Sequence, residues 1–110
     1  MKNTNIEKVA NKLVKAFLTN KTINPIPVKY CKTMKEAEKL RKLCESKVKQ
    51  PIIGFKAAGT SIPVLKKLGE KEPFYASIFK SNVLKSGKTV KTNSYTLGIE
   101  LEVGYLIKKN

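Results

Sequence analysis

Between Leu97 and Ile107 the chain alternates without a break. Leu97, Ile99, Leu101, Val103, Tyr105 and Ile107 share one parity; Gly98, Glu100, Glu102, Gly104 and Leu106 share the other. A period of two is the signature of a β-strand, whose successive side chains point to opposite faces. The spacing therefore predicts a strand over residues 97–107, with an apolar face that further strands must cover. It also sets Glu100 and Glu102 side by side, about 7 Å apart along one face, with Gly98 and Gly104 leaving space beside them. Two readings of this pair stay open on spacing alone. A half-exposed sheet commonly turns carboxylates to water, and a lone Glu-x-Glu is weak evidence for more. The other reading is a pair of ligands for a hard cation.

The N-terminal half follows the other period. Ile6, Val9, Ala10, Leu13, Val14, Phe17 and Leu18 recur at spacings of three and four, which predicts an amphipathic helix. Thr4 and Glu7 match a capping box at its start, and Asn20 and Lys21 end it. Pro25 and Pro27 hold the segment TINPIPVKYC extended. Thr33 and Glu36 form a second capping box, opening a helix whose inner stripe is Ala37, Leu40, Leu43, Cys44 and Val48. Pro51 begins a short strand, PIIGFKAAG. A short helix over about 62–68 follows, with Ser61 as N-cap, Pro63 in its first turn and Gly69 as its stop. Further strands are expected at YASIF, NVL and KTVKT, with a turn at Ser86-Gly87. The fold class is α+β, with N-terminal helices leading into a mixed β-sheet. The chain reads as a single domain or an N-terminal fragment of one, helical over 1–50 and β-rich over 51–110.

Composition narrows the chemistry. A hydrophobic content of 41% supports a core rather than a disordered chain. No apolar run reaches the length of a membrane span. The start, MKNTNIEKVANK, has no apolar signal region, so the expectation is a cytoplasmic protein with Cys31 and Cys44 as reduced thiols. The net charge of +15 raises the question of nucleic acid. Only Arg41 among the 23 basic residues is an arginine, and the lysines are scattered over every segment rather than gathered. Arginine is the side chain that grips phosphates and bases with two parallel hydrogen bonds, so this pattern argues against that partner. A basic, noncatalytic nucleic-acid-binding module is kept as an alternative, as is a noncatalytic fragment. The chain has no histidine, and all eight acids are glutamates. A metal site built from them is an all-oxygen site, suited to Mg2+ or Mn2+ rather than zinc.

Three stretches become specific when read together: NPIPVKYCKTMKEAEKLRKL, IIGFKAAGTSIPVLKKLGEKEPFYASIF and SGKTVKTNSYTLGIELEVGYLI. In this order and spacing the chain resembles the N-terminal portion of the 2-keto-4-pentenoate hydratase family, within the fumarylacetoacetase-like superfamily. The resemblance covers essentially all 110 residues. It implies the start of a fumarylacetoacetase-like β-roll that this chain does not complete, and site residues that carry over position by position. Glu100 and Glu102 match two carboxylate ligands of a divalent metal, Mg2+ or Mn2+; the family's third is a glutamate about thirty residues further on. Lys56, in GFKAAGTS, matches a lysine of the substrate pocket with a catalytic role, and the Leu101 backbone matches a substrate-binding position. Some members carry an aspartate after the proline corresponding to Pro73; here that residue is Phe74.

The reaction implied is hydration of a 2-oxo or 2-hydroxydienoate acid, 2-hydroxypenta-2,4-dienoate plus water giving 4-hydroxy-2-oxopentanoate. A related 2-oxo acid decarboxylase or C–C hydrolase is the alternative within the superfamily. The expected partner is a small 2-oxo acid, with a homo-oligomer when the protein is complete and no membrane. The 110-residue chain by itself is expected to be inactive. Beside this, the residues keep plainer readings: Thr60 and Ser61 as helix-capping hydroxyls, Tyr75 and Phe79 as core or pocket wall, and Lys56 as one more solvated lysine.

Overall fold

The computed structural model describes residues 5–94 and 96–109. Thr4, half of the first expected capping box, and Tyr95 lie outside them. Helix α1 spans Asn5–Thr19 and buries Ala10 and Val14. Asn20 closes it in the left-handed region, at φ 51°. Its N–H bonds the Phe17 carbonyl, and the Lys21 N–H reaches back to Ala16 at 2.9 Å. This pair of bonds satisfies carbonyls the helix end would otherwise leave open. The proline segment runs on to a single 3-10 turn at Val28–Tyr30.

Helix α2 spans Met34–Val48, and its start is the expected reciprocal cap. The Glu36 N–H donates to Thr33 Oγ1 at 3.2 Å, and the Thr33 N–H donates to Glu36 Oε2 at 3.0 Å. Leu40 and Val48 are buried on the predicted stripe, with Ala37, Leu43 and Cys44 half-buried beside them. Helices α1 and α2 pack against each other. Strand β1 (Ile52–Ala58) and strand β2 (Phe74–Phe79) form a two-stranded antiparallel sheet. A bulge between Ile52 and Gly54 breaks the register at its start. The short helix α3 (Ile62–Leu68) connects the two strands, and Gly69, at φ 72°, ends it. Ser61 occupies the N-cap position by backbone, but its side chain makes no capping hydrogen bond, so the expected role of its hydroxyl is corrected.

Phe79, at the end of β2, ties the sheet to the helices. It clusters with Val14 and Val48, with Cys44 packed against them. Its ring meets Phe17 at 5.6 Å between centroids. The other end of the sheet is fastened by charge and aromatic contact. Arg41 of α2 lies over the Tyr75 ring at 4.7 Å, and Tyr75 meets Phe55 edge to face at 5.5 Å.

Three expectations are corrected. The sheet is antiparallel rather than mixed. Among the described residues the NVL and KTVKT stretches join no ladder: Lys80–Asn82 is a 3-10 turn, and beyond it the described chain shows turns at Ser86-Gly87 and at Ser94, where the Thr96 N–H bonds the Asn93 carbonyl at 3.0 Å. Nor does the 97–107 stretch enter a ladder with any described residue. Leu97, Ile99, Leu101, Val103, Tyr105 and Ile107 are each at least 80% exposed, so the apolar parity has no cover among the described residues. A strand is defined by its partner's hydrogen bonds, and among the described residues none supplies them.

Candidate functional site

Lys56 stands in the middle of β1, opposite Ala76 on β2. Its neighbours of the same parity along the strand are Gly54 and Ala58. All three surrounding positions are small, so the lysine stem is free to leave the sheet. At Gly59 the backbone turns with φ +66°, and a Cβ there would sit 3.0 Å from Leu65 Cδ2 and 3.2 Å from Phe74 Cε1. Glycine at this position therefore lets α3 close against the end of the hairpin. Phe74, where some members of the resembled family carry an acid, is half-buried in that contact.

The 97–102 segment crosses in front of Lys56. The ammonium donates to Glu102 Oε1 at 2.5 Å and to Glu100 Oε2 at 3.1 Å. Both glutamates therefore lie on one side of their segment, as the parity predicts, although the segment is not a paired strand. Residues 44 and 46 positions apart in sequence meet at one nitrogen. The hydrogen bonds to Glu102 and then Glu100 hold the Lys56 ammonium above its ordinary pKa. The groups are open to water, with side-chain exposures of 49% for Lys56, 78% for Glu100 and 58% for Glu102. Lys56, Glu100, Glu102, Leu97, Gly98 and Ile99 line an open cleft of about 730 Å³. Leu101 sits between the two glutamates in sequence with its side chain 99% exposed, away from the cleft lining. Among the described residues no third histidine, cysteine or acid joins the pair.

Leu97, Gly98 and Ile99 were not singled out from sequence as cleft residues; the missing side chain at Gly98 was the available signal. A second groove, of about 900 Å³, lies between α2 and the β2 edge, with Met34, Ala37, Arg41, Phe74 and Tyr75 in its walls. The one arginine of the chain was the sequence signal for it. Arg41 Nη1 donates to Glu45 Oε1 at 2.5 Å, and Nη2 lies 3.6 Å from Glu38. Burial alone would push the Glu45 carboxyl up, but Ser77 and the Arg41 guanidinium outweigh it and hold it below the usual range. This cluster fastens α2 to the sheet.

Two carboxylates converging on one cation can do two things. They can form a plain surface ion pair with a lysine, or they can hold a divalent ion with the lysine beside it. Oxygen donors without histidine or thiolate suit a hard cation, which keeps several waters and needs only one or two protein carboxylates. The donors are of the type Mg2+ or Mn2+ accepts, but among the described residues no third ligating side chain joins them, and the Lys56 ammonium stands between the two carboxylates. No family model, no curated protein and no solved structure matches the chain.

Proposed function

We propose that the chain carries part of the active site of a divalent-metal-dependent, hydratase-like enzyme acting on small 2-oxo or 2-hydroxydienoate acids. The observation that supports this most is the meeting of Lys56 with Glu100 and Glu102 in one open cleft, across more than forty residues of sequence. The resemblance of GFKAAGTS and GIELEVGYLI to the 2-keto-4-pentenoate hydratase family names the same three residues. The coarser fold, α+β, is the observed one; a fumarylacetoacetase-like β-roll is part of the proposal.

In this reading Glu100 and Glu102 hold Mg2+ or Mn2+ through their carboxylate oxygens. The ion, when bound, supplies Lewis-acid polarisation of the substrate's 2-oxygen. Lys56 contributes a positive charge within reach of the substrate's carboxylate, and its Nζ can hold or pass a proton as water adds to the far double bond. Gly98 leaves room at the cleft wall for a small acid. Exposure of all three groups implies that the cleft as described excludes little water, and enzymes gain much of their electrostatic power by excluding it. Weak or absent turnover by the 110-residue chain is the corresponding expectation.

The test is hydration of 2-hydroxypenta-2,4-dienoate, followed as loss of the dienoate absorbance with Mg2+ or Mn2+ present. It is run on the 110-residue chain and on any longer reading frame that contains it. Metal-dependent turnover that is lost in E100Q and E102Q supports the reading. Turnover that ignores the metal, or survives both substitutions, sinks it.

A further inference from the structure

Past Glu102 the chain becomes an arm. Lys56 holds Glu100 and Glu102 beside β1, and every residue from Val103 to Lys109 is exposed. Tyr105, Leu106 and Ile107 are 84%, 90% and 87% exposed, and Lys108 and Lys109 follow them directly. Three adjacent apolar side chains beside two ammonium groups thus stand in water. The groove between α2 and the β2 edge has the complementary character. Met34, Ala37, Phe74 and Tyr75 give it apolar lining, and Glu38, Glu70 and Glu72 line it against Arg41 and Lys71. Glu38 is engaged by Arg41 and Lys42. Among the described residues Glu70 and Glu72 enter no ion pair, and neither do Lys108 and Lys109. In a chain with 23 basic residues, two glutamates left without a cation mark a wall that a basic segment from outside can satisfy.

We propose that this groove seats the 103–109 arm of a second copy of the chain, and that two copies exchange arms about a two-fold axis. The proposal does not depend on the metal reading. Charge selects the occupant. Two molecules of net charge +15 repel one another, so contact is favoured where the acids of one meet the bases of the other. Three of the eight acids of the chain line this one groove. Tyr105, Leu106 and Ile107 enter the apolar lining, and Lys108 and Lys109 reach Glu70 and Glu72. The groove, at about 900 Å³, is of the size that holds a compact, mostly apolar ligand, roughly 300–1,000 Å³. No residue of the chain's own arm lines its own groove, which makes a second copy the source. Each copy offers one arm and one groove, so a two-fold arrangement makes the same contact twice and closes.

The experiment is sedimentation velocity on the full 110-residue chain over a concentration series, at low and at high salt. Wild type should form a dimer. E70K/E72K and K108E/K109E should each raise the dimer dissociation constant at least about tenfold at low salt, and the difference should shrink at high salt. L106S/I107S should weaken the dimer at both. Net charge alone predicts the reverse for K108E/K109E, which lowers the positive charge and would favour association. The deciding sample is an equal mixture of E70K/E72K with K108E/K109E. There each arm meets a groove of opposite charge, and the dimer should return although neither variant forms it alone. Matching circular dichroism and melting curves show that each variant is folded. A wild type that stays monomeric, charge variants that associate as wild type does, or a mixture no more associated than its two components would each overturn the exchange.

Discussion

Gly59 shows how narrowly a single residue can be constrained. Its φ of +66° is costly for any side chain, and an added Cβ would press on Leu65 and Phe74 at 3.0 and 3.2 Å. We expect G59A to lower stability by about 1–3 kcal/mol, read as a shift of the urea midpoint with the slope unchanged. Glu45 carries a different kind of consequence. Its carboxyl is held below the ordinary range in the folded chain, and in the unfolded chain it returns to it. The stability this confers is complete above the unfolded value and is lost as the pH falls through the depressed folded one. E45Q should therefore flatten the acid limb of the stability–pH profile, below about pH 4, and leave the neutral pH dependence unchanged. Urea melts of wild type and E45Q from pH 2 to pH 7 check this; parallel acid limbs would show that Glu45 contributes nothing there.

At the scale of elements, the helices were the most legible part of the sequence. The Thr33–Glu36 box closes as the spacing requires, and T33A should cost α2 about 1 kcal/mol, visible as a lower melting temperature. Lys49 ends the same helix at φ 54° without being glycine. K49G should raise stability by up to about 1 kcal/mol, because relief of the left-handed strain exceeds the added freedom of the unfolded chain. The hairpin strands were legible too, since Pro51 and Gly59 bracket one of them. NVL, KTVKT and 97–107 were misread for one reason. Alternation says where side chains would point once a strand is paired; it says nothing about whether a partner is there. The candidate site was legible only in pieces. Parity put Glu100 and Glu102 together, but no periodicity could bring Lys56 to them, because that meeting depends on how the chain returns across β1. The resemblance supplied that link. The lone arginine marked Arg41, but its ion pairs along α2 were not legible, because a salt bridge on a helix face has the same spacing as any solvated one.

At the scale of the whole molecule, the dominant fact is the uncovered apolar parity from Leu97 to Ile107. Apolar surface of this extent drives association. The 110-residue chain should show concentration-dependent light scattering, and I99K/L101K should reduce it at equal protein concentration. An unchanged signal would mean that other surfaces associate. The helical pair offers a way to watch the molecule open. Cys44 sits half-buried at the seam between α1 and α2, its thiol 4.0 Å from the Ala10 carbonyl, while Cys31 is exposed. Burial, and then the nearby Glu45 charge, push the Cys44 thiol up against a smaller lowering by Lys47, and a thiol that resists ionising reacts slowly. A disulfide reagent should therefore label Cys31 at once and Cys44 only when the seam parts. The lag between the two labels is a clock for the separation of α1 from α2, with its own zero mark carried on the same chain.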